Sequence, residues 1–118
     1  MKIMNLTTHD VCVKNKGGEV ITYPQSGYIA RAVSKYKSYS ELDDGVIIEK
    51  EILPELNFGI NKIDPFTVYI VSYQFAMKLK FMDFKYKHQF VYPCACKAER
   101  EDKTNKVLFV PSLISIGY

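Results

Sequence analysis

Apolar and polar positions alternate with period two over much of the chain, and this period predicts strands. Val11–Val13 is short and β-branched, and Asn15-Lys16-Gly17-Gly18 carries turn chemistry. Glu19–Tyr23 alternates again, so the three segments together predict a β-hairpin. Pro24-Gln25-Ser26-Gly27 predicts a second turn. A third strand is expected over Tyr28–Val33, with Tyr28, Ala30 and Ala32 set against Ile29, Arg31 and Val33. Ser34 to Asp44 is polar apart from Tyr36 and Tyr39 and reads as a loop or irregular edge, with Asp43-Asp44-Gly45 as a turn. Val46–Ile52 is a strand by its β-branched content. Leu53 to Pro65 carries Pro54, Gly59 and Pro65 and reads as an extended connection.

Thr67–Ser72 is a continuous apolar run, which predicts a strand covered on both faces. The period then becomes helical. Phe75, Ala76, Leu79 and Met82 share one stripe, while Lys78 and Lys80 lie off it. A short helix is therefore expected near 73–82, with Ser72 as its N-cap. Gln89–Tyr92 predicts a strand ended by Pro93. Cys94–Ala98 and Val107–Ile116 flank the charged segment Glu99 to Lys106, as a long hairpin broken at Pro111 would. These elements make an α+β fold of about six to eight mainly antiparallel strands and one helix. An all-β sandwich is the alternative if the helix is a single turn.

With 118 residues, 47% hydrophobic and 25% charged, residues 1–118 are expected to form a single globular domain. No apolar run approaches the roughly 20 residues that a membrane-spanning helix needs. Met1 to Leu6 lacks a signal-peptide core, so a cytoplasmic location and no membrane partner are expected. The net charge of +3 is uneven: residues 1–60 carry −1 and residues 61–118 carry +4. A basic second half admits an acidic partner without demanding one. Cys12, Cys94 and Cys96 are odd in number, and Cys94 and Cys96 are not spaced as a Cys-x-x-Cys pair. They read as small apolar residues of a reducing compartment. No metal site or cofactor is expected.

Candidate chemistry is sparse. A Gly-x-Ser-x-Gly elbow, a Walker loop and a dinucleotide fingerprint are all missing. A Cys–His pair drawn from Cys94 or Cys96 with His88 or His9 is selected by no spacing. Asp43-Asp44, Glu99, Glu101 and Asp102 read as solvated turn residues, Glu49 and Glu51 as one strand face. Lys78, Lys80, Lys85 and Lys87 interleave with Phe81, Phe84, Tyr86 and His88, a mixture used by single-strand nucleic-acid grooves and equally by amphipathic helices. Arg31 is the one arginine before position 100 in a chain that otherwise prefers lysine. Its planar fork suits an anion, or an ion pair with Asp10 or Glu19.

Asn5-Leu6-Thr7-Thr8-His9-Asp10-Val11 resembles an Asn-Leu-Thr-Pro-His-x-Val opening. That opening belongs to a family of small bacterial and bacteriophage proteins, uncharacterised as to activity. The resemblance continues through Gly17-Gly18, Ser26-Gly27, Ala30-Arg31, Leu53-Pro54, Tyr69-Ile70-Val71-Ser72 and Pro93. Thr8 replaces the proline of the pattern. Gln89 replaces an acidic residue that would partner a cation such as Lys87. The resemblance implies a mobile-element protein and supplies no mechanism. The expectation is a small non-catalytic binding protein with a counter-defence or accessory role. It would bind a host protein or a small anionic ligand stoichiometrically, the latter through His9, Ser26 and Arg31 with Ser72 nearby. A nucleic-acid binder using segment 78–88 is the alternative, and a small enzyme the third reading. Exposed tyrosines such as Tyr36 and Tyr39, with unpaired sheet edges, also admit a homo-oligomer.

Overall fold

Thr67–Ile70, the most continuously apolar strand, lies inside a four-stranded sheet in the computed structural model, which describes residues 2–94, 98–104 and 107–117. In chain order the strands are β1 Lys2–Asn5, β2 Val11–Lys14, β3 Val20–Tyr23, β4 Arg31–Glu41 and β5 Ile47–Asn57. They continue as β6 Thr67–Ile70, β7 Phe90–Pro93, β8 Glu99–Arg100, β9 Val107–Phe109 and β10 Leu113–Ser115. Helix α1 spans Tyr73–Lys80, and a 3-10 turn spans Lys87–Gln89. The fold is α+β and mostly strand, with ten strands among the described residues where six to eight were expected.

The central sheet has the order β1-β6-β7-β10. β1 and β7 run parallel to β6, and β10 runs antiparallel to β7. Parallel neighbours need a crossover, and α1 supplies it between β6 and β7. The Ser72 hydroxyl caps α1 as expected, accepting a hydrogen bond from the Phe75 backbone N–H at 3.2 Å. Phe75, Ala76 and Leu79 are buried against Leu6, Ala30, Tyr69, Val71, Phe90 and Ile116. Phe58 meets Phe75, Phe84 and Phe90 at ring-centroid distances of 5.3, 5.2 and 5.5 Å, which locks the segment after β5 into this core.

Three two-stranded antiparallel ladders surround this sheet: β2–β3, β4–β5 and β8–β9. The first follows the expected turn, where Asn15 Oδ1 accepts from the N–H groups of Gly17 and Glu19. It is tied to the chain end after β9 by reciprocal backbone bonds between Val110 and the Cys12–Lys14 segment. Residues 95–97 and 105–106 lie outside the described residues. The proposed Cys94–Ala98 strand and Cys96 therefore fall partly or wholly outside them, while the β8–β9 pairing gives the charged segment its hairpin.

Two expectations are corrected. Met1 to Leu6 was assigned no element, yet Lys2–Asn5 pairs with Thr67–Ile70. Ser34 to Asp44, read as a loop or an irregular edge, is strand out to Glu41 with bulges in its pairing, and the connection from Leu53 is strand through Asn57. β4 and β5 thus form a ladder eleven residues long on each side, about 36 Å by strand rise. Its root is held by Ala32 and Leu56, which pack on the core. Its outer part leaves the body. The radius of gyration is 17.3 Å and the longest extent 59 Å. A compact chain of this length would have a radius of gyration of roughly 13 Å.

Candidate functional site

The N-terminal polar cluster is built around Asn5, a buried residue 2% exposed. Its Nδ2 donates to the carbonyls of His9 and Tyr23 at 2.8 and 2.9 Å. Its Oδ1 accepts from the N–H and hydroxyl of Thr7 at 2.9 and 2.6 Å. The Asn5 carbonyl accepts from the N–H and hydroxyl of Ser26. Asp10 Oδ1 accepts from the Gln25 N–H at 3.0 Å. The residues that carry the family resemblance therefore satisfy the backbone where β1 ends and the chain returns from β3. Sequence reasoning noted Asn5 only in that pattern. Its chemistry was legible as a side chain that both donates and accepts, but its burial was not.

The four residues expected at an anion site sit differently from one another. The hydroxyls of Ser26 and Ser72 are engaged with backbone groups. His9 and Arg31 are exposed. The His9 carbonyl, rather than its ring, joins the Asn5 network. Arg31 opens β4 and pairs in register with Asn57. Among the described residues no ion pair joins it to Asp10 or Glu19.

The basic–aromatic segment is divided between the fold and solvent. Phe84 packs on the core, whereas Phe81 is 84% exposed. Lys78 is bonded to Glu51 of β5, and Lys87 donates to the Lys80 carbonyl at 2.8 Å. Lys85 lies over the Tyr86 ring, 5.0 Å from its centroid. Lys87 thus finds a backbone acceptor, with Gln89 rather than an acidic residue two positions on. Gln89 is buried, and its Nε2 donates to the carbonyls of Asp64 and Thr67.

Asp64 is held below the usual carboxylate range, first by the N–H of Phe66 and then by the Thr67 hydroxyl, with Lys2 and Lys62 adding and desolvation opposing. These contacts close the turn into β6. Cys94 is buried and Cys12 half-buried, its Sγ 3.4 Å from the Thr22 hydroxyl. Among the described residues no three His, Cys, Asp or Glu side chains gather as a metal site, and no helix is long and apolar enough to cross a membrane.

The feature that departs most from a globular surface is the arm. Every described side chain from Val33 to Ile52 is exposed. Eight of the sixteen exposed large hydrophobic residues among the described residues fall within it, Tyr39 at 68%. The turn at its tip is a three-residue loop closed by a Leu42 N–H bond to the Val46 carbonyl, with Gly45 at φ +89°. Asp44 Oδ1 accepts from the Val46 N–H.

Register and the strand period separate two faces. One carries Glu51, which meets Lys78 of α1, together with Glu49 and Tyr36. The other carries Val33, Ile48 and Ile52 with Lys35, Lys37 and Lys50, and Tyr39 joins it through its ring contact with Lys50. On that face Lys35 meets Glu55 at 3.1 Å. Lys37 lies directly opposite Lys50, a like-charge pair that destabilises an isolated ladder.

Comparison with family models, with curated proteins and with solved structures gives no match for this chain. The functional reading therefore rests on the molecule's own geometry.

Proposed function

We propose that the protein is a non-catalytic binding protein whose working surface is the β4–β5 arm and whose partner is a protein. One observation carries this reading. The arm holds a hydrogen-bonded ladder well clear of the core while exposing Val33, Tyr36, Tyr39, Ile47, Ile48 and Ile52 along it. A two-stranded ribbon is marginal on its own in water, and apolar side chains along it gain nothing from solvent. Such a surface becomes favourable when another protein covers it. The tyrosines supply large contact area with few rotatable bonds, as interface residues do. A small anion would need convergent donors, and the Ser26 and Ser72 hydroxyls are already engaged with backbone groups, while the exposed His9 and Arg31 share no hydrogen-bond partner among the described residues.

Photo-crosslinking tests the reading. A benzoylphenylalanine in place of Tyr39 is expected to give covalent polypeptide adducts in cells that produce the protein. The same probe in place of the exposed Val20 of β3 serves as the control. Absence of any adduct from position 39 would refute the arm as a protein-binding surface.

A further inference from the structure

We propose that the partner of the arm is a second copy of this chain, the two arms lying antiparallel and face to face about a two-fold axis near Ser40 and Ile48. This rests on the reading of the arm as a protein-binding surface and adds the identity of what covers it. Lys37 and Lys50 face each other across the ladder, and among the described residues neither has an ion pair. The nearby carboxylates are committed or turned away. Glu55 holds Lys35, and Glu51 on the other face holds Lys78.

Farther out, the tip carries Asp43 and Asp44, exposed and likewise without an ion pair among the described residues. The bulge between Ser38 and Ser40 leaves Lys37 two ladder positions, about 7 Å, to one side of Ser40, and Asp43 lies in the turn just beyond Leu42 and Val46, two positions to the other side. Ser40 pairs with Ile48. A two-fold axis at that pair brings Asp43 of each copy over Lys37 of the other, and Asp44 toward Lys50. Between these two charged ends, Tyr39, Leu42, Val46 and Ile48 of both copies form an apolar centre. An interface of this kind is isologous, so the same patch serves both partners and the assembly closes at two. Stacking with the axis at the Lys37–Lys50 pair would set lysine against lysine and is disfavoured.

The test is sedimentation equilibrium from about 1 to 100 µM, a range that spans weak, small interfaces. The wild type is expected to dimerise, less tightly as salt rises. Lys37→Glu/Lys50→Glu makes stem and tip both acidic, and Asp43→Lys/Asp44→Lys makes both basic. Each variant alone is expected to self-associate at least roughly tenfold more weakly. Mixed in equal amounts they are expected to form a heterodimer as tight as the wild type, since each stem then meets a tip of opposite charge. All four positions are exposed, and circular dichroism checks that both variants fold. A wild type monomeric throughout overturns the proposal. So does a dimer indifferent to the charge changes, or a mixture that fails to associate. If the wild type is monomeric while the probe at Tyr39 still captures another polypeptide, the protein-binding arm stands and only the second copy falls. If neither occurs, both fall.

Discussion

The ammonium of Lys78 on α1 donates to the carboxylate of Glu51 on β5, a direct polar link between the helix and the arm. Both side chains are partly exposed, so the pair contributes little to global stability. Its effect is local, at the place where the arm leaves the body. Lys78→Ala is expected to cost less than about 1 kcal/mol in urea unfolding. The same variant is expected to speed amide exchange near Glu51 and Ile52, because local opening responds to contacts that global unfolding barely registers.

Asn5 is expected to be far more important to the fold than its exposed neighbours. Asn5→Ala strips four hydrogen bonds from a buried turn and leaves the Tyr23 carbonyl without its side-chain donor, while the Thr7 hydroxyl still reaches the His9 carbonyl. The expected loss is about 2–4 kcal/mol, read from chemical unfolding. His9→Ala and Arg31→Ala are expected to fall within about 0.5 kcal/mol of the wild type, since both side chains are exposed. A comparable loss at His9 would mean that its ring, and not its carbonyl, holds the turn.

Gly59 should tolerate replacement far less well than Gly45. Its φ is +74°, and a Cβ there would sit 2.4 Å from the Ile29 carbonyl oxygen. That contact is with backbone, so nothing flexible can move aside. Gly59→Ala is expected to yield little folded protein at 37 °C. Gly45→Ala at the arm tip has φ +89° and open space, and is expected to cost only about 1–2 kcal/mol. Thermal unfolding of the two variants side by side checks the difference.

Acid stability should depend on Asp64. Its folded carboxyl titrates below the ordinary value because the Phe66 N–H and the Thr67 hydroxyl bind its charged form. A lowered folded pKa stabilises the fold above the unfolded value of about 3.9. That contribution is lost as pH falls below it and through the folded pKa. Asp64→Asn is expected to flatten this part of the acid-unfolding profile and to leave the slope near neutrality unchanged. Chemical unfolding between about pH 2 and 6 measures it.

Elements that bury one stripe or a continuous run were legible from the sequence. Thr67–Ile70 and α1 with its Ser72 cap owe their patterns to a core that takes apolar residues at fixed periods. The β2–β3 hairpin was marked by its turn residues. The start of β4 fell within the strand expected over Tyr28–Val33, but its continuation to Glu41 was not legible, because a strand with solvent on both faces has no side to bury. Ser34, Lys35, Lys37, Ser38 and Ser40 consequently read as loop. The signal that could have found it was the Asp43-Asp44-Gly45 turn next to the β-rich Val46–Ile52, a strand that needed a partner. Tyr36 and Tyr39 were expected to be exposed from their polar surroundings, without the ladder that presents them. The role of Asn5 was hidden because it depends on bringing residues 5, 9, 23 and 26 together, contacts that no local period encodes.

The central claim, that the arm is covered by a second copy of this chain, is tested most directly by amide hydrogen exchange at low and high protein concentration. The account predicts that amides of residues 33–52 exchange quickly in dilute solution, despite their ladder bonds. At high concentration they should slow by roughly tenfold or more, while those of β6, α1 and β7 stay unchanged. Arm amides that exchange at one rate at every concentration, or that are already as protected as β6 when dilute, would contradict it.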